Sequence, residues 1–369
     1  MRVLTVNPGS SSLKVSLLDH DDTVLRRVDL AAGAGAREGE LFEAALDRMP
    51  VPDAVGVRVV HGGRDFRAPV VVDEEVVKRL YDLIELAPLH QPLSLYAIGE
   101  VRRALPDVPA VACFDTAFHA TLPEAAATYA LPVEWRERYG LRRYGFHGLS
   151  HAYAARRTAQ LLGTGAIGLR LVVCHLGSGA SLAAIADGRS IDTTMGFTPL
   201  EGLVMGTRAG SIDPGIPLWL IRTGVPSGEV ADAMEHRSGL RGLAGTGDMR
   251  EIQARVDQGD DVALAALDVY HHRLRACAAA MTASLGGLDA LAFTGGVGEH
   301  DAAVRARLAA DLAFLGVTVD PERNRAARTD TEITRAGAAV RTFVITARED
   351  LEIAHGVRAA LDPEREERS

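Results

Sequence analysis

The sequence predicts an α/β protein of two lobes built on one repeated plan. Three observations predict this. Short apolar strands alternate with helical stretches along all 369 residues. The segments LTVNPGSSSLKVSLLDHDD (4–22) and LVVCHLGSGASLAAIADGR (171–189) share a layout: apolar strand, Gly/Ser hairpin loop, second strand, acidic turn. A third apolar strand runs into glycines again at 295–299.

Taken in order, Val3–Val6 is a strand ending at Asn7-Pro8-Gly9-Ser10-Ser11-Ser12, Leu13–Asp19 alternates as a second, and His20-Asp21-Asp22 turns into a third, Thr23–Leu30. A helix near Glu40–Asp47, a strand at Val55–Val60, helices near Asp73–Glu85 and Leu93–Ala104, and a strand at Ala110–Cys113 complete the first half. The second half opens with strands Leu171–Cys174 and Ala180–Ala186 around a glycine turn, His175–Gly179. Helices follow at Ile216–Thr223, Ser227–His236 and Asp261–Leu285. Leu288–Phe293 is a strand leading into a turn at Gly295–Glu299, Val340–Ile345 is the last strand, and Glu349–Leu361 the last helix. The charged tail DPEREERS reads as a frayed, solvated end. The expected division is 1–117 with 350–369 as the N-terminal lobe and 118–349 as the C-terminal, nucleotide-binding lobe.

Composition narrows the function. Hydrophobic residues make up 47% and charged residues 24%, enough for an unstapled core. A net charge of −9 without a basic stripe argues against a nucleic-acid partner. No run approaches the ~18 apolar residues of a membrane span. The N-terminus turns polar too soon for a signal peptide. The three cysteines, Cys113, Cys174 and Cys277, are far apart and form no CxxC pair, so they read as thiols in a reducing cytoplasm.

Three glycine turns after apolar strands point to anion binding, because glycine lets backbone N–H groups approach and converge on a phosphate. No P-loop or dinucleotide-binding glycine motif is present. Lys14, just past the first loop, is either a phosphate contact or an exposed strand lysine. Arg58 interrupts the apolar strand AVGVRVV and needs an anion, either a structural Asp or Glu or the carboxylate of a small acid. Residues 192–214 form a long Gly-punctuated stretch without helix or strand period, and Arg208 within it is a second candidate anion clamp. His147 and His151 are spaced i, i+4, but Gly148 between them makes zinc a poor fit; one histidine donating to phosphate and a satisfied core histidine both remain open. Asp115 ends a buried strand, and Glu349 opens the last helix, where it either suits the dipole or holds Mg2+.

Together NPGSSSLK, RVVHGG, APLHQP, FDTAFH, YGFHGLSH, HLGSGAS, DTTMGFTPLEGLVMGTRAGSIDPG and FTGGVGEH resemble the acetate kinase family, of the sugar kinase, Hsp70 and actin superfamily, from Val3 to about Ala354. The resemblance implies a duplicated ribonuclease H-like fold with a cleft between lobes. It implies reversible, Mg2+-dependent phosphoryl transfer between ATP and acetate, giving acetyl phosphate and ADP, with Mn2+ as a possible substitute and a homodimer as the assembly. Asn7 and Glu349 would hold the metal. Lys14 and His175, Leu176, Gly177, Ser178 and Gly179 would approach the nucleotide phosphates. Asp248, Met249 and Arg250, with Gly296, Val297, Gly298, Glu299 and His300, would line the adenosine region. Arg58 would pair with the acetate carboxylate, and Val60, Leu89, Phe146 and Pro199 would wall its methyl group. Asp115, His147 and Arg208 would be catalytic. Small Gly296 and Val297 favour ATP over pyrophosphate. The chain departs from the family pattern at Ser178, Gln91, His300 and Ser211, and in ARED (347–350) before the last helix. Alternatives are a propionate kinase, a nucleotide-driven binding protein of the Hsp70/actin kind, or a histidine-based metal hydrolase.

Overall fold

The computed structural model describes residues 1–9, 12–31, 36–88 and 90–362. It divides into two compact units. Unit 1 comprises Met1–Ala120, Phe146–Tyr153 and Arg348–Ser369; unit 2 comprises Thr121–Gly145 and Ala154–Ala347. Ser10, Ser11, Leu89 and the 363–369 tail, all named above, lie outside the described residues.

Unit 1 carries strands β1 (Val3–Pro8), β2 (Ser12–Leu18), β3 (Val24–Ala31), β4 (Ala54–Val59), β5 (Val70–Val71) and β6 (Ala110–Phe114). They form one sheet in the order β3-β2-β1-β4-β6-β5. The β1-β2-β3 meander is antiparallel, β1-β4-β6 is parallel, and β5 returns antiparallel to β6.

Unit 2 carries β7 (Arg170–Leu176), β8 (Ala180–Ala186), β9 (Arg189–Thr193), β10 (Ala290–Thr294), β11 (Thr331–Glu332) and β12 (Arg341–Val344). Read from one edge the order is β9-β8-β7-β10-β12-β11. The antiparallel and parallel senses repeat those of unit 1 strand for strand. The duplication expected from the two hairpins is therefore a duplication of whole sheets.

Local chemistry explains the meanders. β8 and β9 are joined by Asp187-Gly188, both with positive φ (52° and 75°), as a tight hairpin turn requires. The central strands are apolar on consecutive residues because both faces are covered. In unit 1, Leu4, Val6, Val55, Val57 and Val59 pack with Ile98 and Val101 of the helix Gln91–Ala104. On the other face, Val3, Ala54, Val111 and Cys113 pack with Ile353, Ala354 and Val357 of the helix Glu349–Leu361. Gly56 admits that helix: a Cβ there would lie 2.4 Å from the Ile353 side chain. In unit 2 the helix Asp261–Leu285 is N-capped by Asp260 and stopped by Gly286 at φ 66°.

Two expectations are corrected. The stretch from Asp192 begins inside a strand, β9, rather than in a loop. Gly295–Glu299 is not an open turn but most of a one-turn-plus helix, Gly295–His300, entered through Gly295 at φ 78°. Among the described residues no helix is long and apolar enough to cross a membrane.

Candidate active site

The alternation of β1, β4 and β6 decides where the first set of candidate side chains goes. Val3, Ala54 and Val111 share the face covered by Glu349–Leu361, and every second residue follows them. Continuing by twos brings Asn7, Arg58 and Asp115 to the carboxyl ends of three adjacent parallel strands on that face, where open α/β sheets place their ligands. Glu349, first residue of the covering helix, joins them there.

The contacts are dense. Arg58 donates Nε to both Asp115 oxygens at 3.1 Å and Nη2 to Asp115 Oδ2 at 2.6 Å. Its Nη1 donates to Asn7 Oδ1 at 3.1 Å and lies 3.5 Å from Glu349 Oε2. Asn7 Nδ2 donates to Glu349 Oε2 at 2.6 Å, so one amide orientation serves both neighbours. Burial opposes the guanidinium charge, but Asp115 and Glu349 outweigh it and hold Arg58 above its ordinary pKa. Burial pushes the Asp115 carboxyl upward against the pull of Arg58. Of the two partners left open for Arg58, the structure supplies the structural carboxylate. The hard oxygens of Asn7 and Glu349 fit a Mg2+ ion, which takes few protein oxygens and keeps water and phosphate for the rest.

His147 follows from the same corner. The Asp115 carbonyl accepts the Gly148 N–H at 3.0 Å, and a Cβ on Gly148 would sit 2.0 Å from that oxygen. Only glycine lets the helix Gly148–Leu162 start so close to Asp115. His147, just before it, takes a left-handed φ of 57°, which non-glycine residues rarely adopt. Val60 and Phe146 are buried in the same unit. Lys14 is exposed on β2, directly across from Asn7.

Unit 2 holds the nucleotide candidates. A cavity of about 1010 Å³ is lined by Gly177, Ser178, Asp248, Met249, Arg250, Gly296, Val297 and His300, together with Met205, Gly206, Gly247 and Tyr270, which sequence reasoning missed. Gly206 and Gly247 approach so closely that a Cβ on Gly247 would lie 2.7 Å from the Gly206 carbonyl. Gly206 N–H donates to the Ser178 carbonyl at 2.9 Å, tying the 205–208 segment to the 175–179 turn. His175, Leu176, Gly179, Gly298 and Glu299 do not line this cavity. Glu299 instead accepts from the Gly295 and Ala347 N–H groups. Asp248 N-caps the helix Met249–Asp257, and Arg250 beside it lowers its pKa to about 2.

Arg208 closes the 205–208 segment, and its situation differs from that of Arg58. Its guanidinium donates to the Pro199 carbonyl at 2.8 Å and forms no ion pair among the described residues. Desolvation lowers its pKa, offset in part by Glu235. The loop carrying Pro199 is itself clamped. Tyr129 Oη donates to Glu201 at 2.5 Å and accepts from Phe197 N–H at 2.9 Å. Arg143 donates to Glu201 at 2.8 Å and to the Thr194 and Met195 carbonyls. Neither Tyr129 nor Arg143 carries a sequence signal for this role.

The departures from the family pattern have local explanations at three places. Arg348 turns to Asp350 (2.8 and 3.0 Å), which also takes Arg27 at 2.6 Å. The Ser211 hydroxyl accepts from Gly202 N–H at 3.1 Å. Gln91 is buried against the backbone of His61 and Leu80.

The Gly148 contact yields a test. Gly148→Ala should lower stability by about 1–3 kcal/mol, the cost of overpacking a tight site, and should reduce turnover by displacing His147. Urea denaturation and steady-state rates on the same preparation check it; unchanged values for both would refute the contact.

The fold agrees with comparison to known proteins. Residues 41–355 match the acetokinase family. An acetate kinase of Nostoc punctiforme is 50% identical over 311 residues, covering 84% of this chain and 76% of that protein. The crystal structure of Porphyromonas gingivalis acetate kinase superposes with a TM-score of 0.89 at 33% identity, covering 98% of this chain and 100% of that one. A propionate kinase from Francisella tularensis superposes with a TM-score of 0.87 at 34% identity, covering 97% and 99%. With its duplicated actin/sugar-kinase-like sheets and these relatives along nearly its whole length, the chain belongs to the acetokinase family.

Proposed function

We propose that this protein transfers the γ-phosphoryl group of ATP to acetate, reversibly and with Mg2+, giving acetyl phosphate and ADP. The observation that carries the reading is Arg208: a half-buried guanidinium with one carbonyl contact and no ion-pair partner among the described residues, its desolvation offset only in part by Glu235. Such a charge calls for a bound anion. The cavity beside it has the size and glycine-lined approach suited to a nucleotide rather than to pyrophosphate alone.

The acceptor needs no general base, because a carboxylate is already ionised at neutral pH. The task is to hold two anions in line while charge spreads over the equatorial phosphoryl oxygens. Arg208 and His147 take the role of stabilising that charge. Arg58, fixed by Asp115, presents an immobile positive edge to the acid. Val60 and Phe146 limit its length, and Leu89 and Pro199 are assigned to the same wall. Gly177, Ser178 and Lys14 serve the phosphates, and the Asp248–Arg250 and Gly296–His300 segments the adenosine. Asn7 and Glu349 would hold Mg2+. The ion would neutralise phosphate charge when bound. The transfer is direct, without a phosphoenzyme.

We also infer a homodimer. The helix Gly215–Arg222 buries none of its residues and leaves Ile216, Leu218, Trp219 and Ile221 exposed, an apolar face suited to a second copy. The free thiols Cys113, Cys174 and Cys277 are consistent with the cytoplasm as its location.

The first test is formation of acetyl phosphate from ATP with acetate, propionate and butyrate. One methylene changes binding by about 1–3 kcal/mol, so the order of kcat/KM should be acetate, propionate, butyrate. Propionate equal to or above acetate would make the enzyme a propionate kinase, and ATP turnover indifferent to all three would favour the binding-protein reading. Arg208→Ala should reduce kcat by roughly 10²–10³ while the acetate KM changes less than about tenfold; a KM effect alone would remove Arg208 from the transition state. In sedimentation velocity the wild type should run as a dimer and Trp219→Asp as a monomer. A monomeric wild type, or a variant that still dimerises, would exclude this face.

A further inference from the structure

We infer that Gln91 sets the acyl-chain selectivity of the acid pocket by holding its Val60–Phe146 wall in place, an inference that rests on the carboxylate-kinase reading above. The reason lies in how the chain leaves β4. Beyond Val59 the segment Val60–Gly63 belongs to no strand, yet all four residues are buried. Its backbone polar groups must find partners elsewhere.

Side chains supply them. Gln91 is fully buried. Its Oε1 accepts the His61 N–H at 3.3 Å, and its Nε2 donates to the His61 carbonyl at 3.2 Å and to the Leu80 carbonyl at 3.4 Å. One amide therefore grips both ends of a single residue and anchors it to the end of a helix. Gly62 N–H donates to Thr116 Oγ1 at 3.0 Å, and Gly63 N–H to His61 Nδ1 at 2.9 Å. The His61 ring in turn meets Phe146 edge-on, with centroids 5.5 Å apart. Gln91 thus fixes the backbone of His61, and with it the adjoining Val60 and the ring that meets Phe146. It is a positioning residue, separated from the acid by the wall it holds.

The bonds from Gln91, at 3.2, 3.3 and 3.4 Å, lie at or just beyond the long end of the ordinary range. An asparagine, one methylene shorter, cannot span to His61 from the same backbone position without drawing the segment with it. The wall would then loosen, and a longer acid would lose less than it does against the fixed wall.

The experiment measures kcat and KM for acetate and propionate in the wild type, Gln91→Asn, Val60→Ala, Thr116→Val and the combination of Gln91→Asn with Val60→Ala. Gln91→Asn should raise the propionate-to-acetate ratio of kcat/KM by about 5- to 10-fold, at the low end of what one methylene commands. The change should sit in KM, with the acetate kcat within about twofold of wild type. Val60→Ala alone should raise the ratio, and adding Gln91→Asn to it should add little, because both act on one wall. A folded Gln91→Asn with an unchanged ratio, or with kcat reduced equally for both acids, overturns the inference. If Gln91→Asn does not fold, Thr116→Val decides, since it frees the same segment at Gly62: a raised ratio supports the inference and an unchanged one overturns it. A wild type that phosphorylates neither acid overturns the carboxylate-kinase reading and this inference together; wild-type activity with unshifted variants overturns this inference alone.

Discussion

A guanidinium does not lose its proton at any pH a protein tolerates, so an arginine withdrawn from water needs either an anion or a full set of acceptors, such as the Asn324, Gly298 and Glu299 oxygens that surround the buried Arg305. This constraint organises the site. Arg58 receives two carboxylates from the chain itself, Asp115 and Glu349. Arg208 forms no ion pair among the described residues and keeps one carbonyl, with Glu235 acting on it only at a distance. The first arrangement is held together by groups of the chain itself and makes a rigid corner. In the proposed function, the second meets the phosphoryl group of the substrate.

The two sheets share a topology and have diverged in what their strand ends carry. In unit 1 the ends of β1, β4 and β6 bear Asn7, Arg58 and Asp115, polar groups that reach for charge. In unit 2 the ends of β7 and β10 run into Gly177, which lines the cavity, and Gly295, where a Cβ would lie 2.7 Å from the Leu176 carbonyl. In the proposed function, a repeated scaffold thus serves acid recognition in one copy and nucleotide recognition in the other. The flanking supports differ in the same way: a capping helix with Glu349 at its start in unit 1, and close glycine packing between Gly206 and Gly247 in unit 2.

Much of this was legible in the sequence. Both hairpins, the apolar central strands and the long helix Asp261–Leu285 follow from periodicity and turn residues. Arg58 stood out because a charge in an apolar strand demands a partner, but the sequence could not choose between Asp115 and a substrate. The meeting of Asn7 with Glu349, 342 positions apart, depends on which helix covers which face, and pattern alone does not fix that. The helix Gly148–Leu162 was hidden because its start is set by a tertiary contact, Gly148 against Asp115, rather than by a capping side chain. The helix at Gly295–His300 read as a turn because its glycines are poor helix formers; close packing on β7 overrides that propensity. Tyr129, Arg143 and Gln91 act through buried hydrogen bonds that leave no periodic trace.

The contrast between the two arginines is tested most directly by thermal denaturation of the ligand-free protein carrying Arg58→Met or Arg208→Met. Removing Arg58 strands Asp115 in the interior, a loss of about 3–5 kcal/mol, and Tm should fall. Removing Arg208 takes away a partly desolvated charge that Glu235 offsets only in part, and Tm should stay level or rise. Equal losses of Tm in both variants would contradict the account.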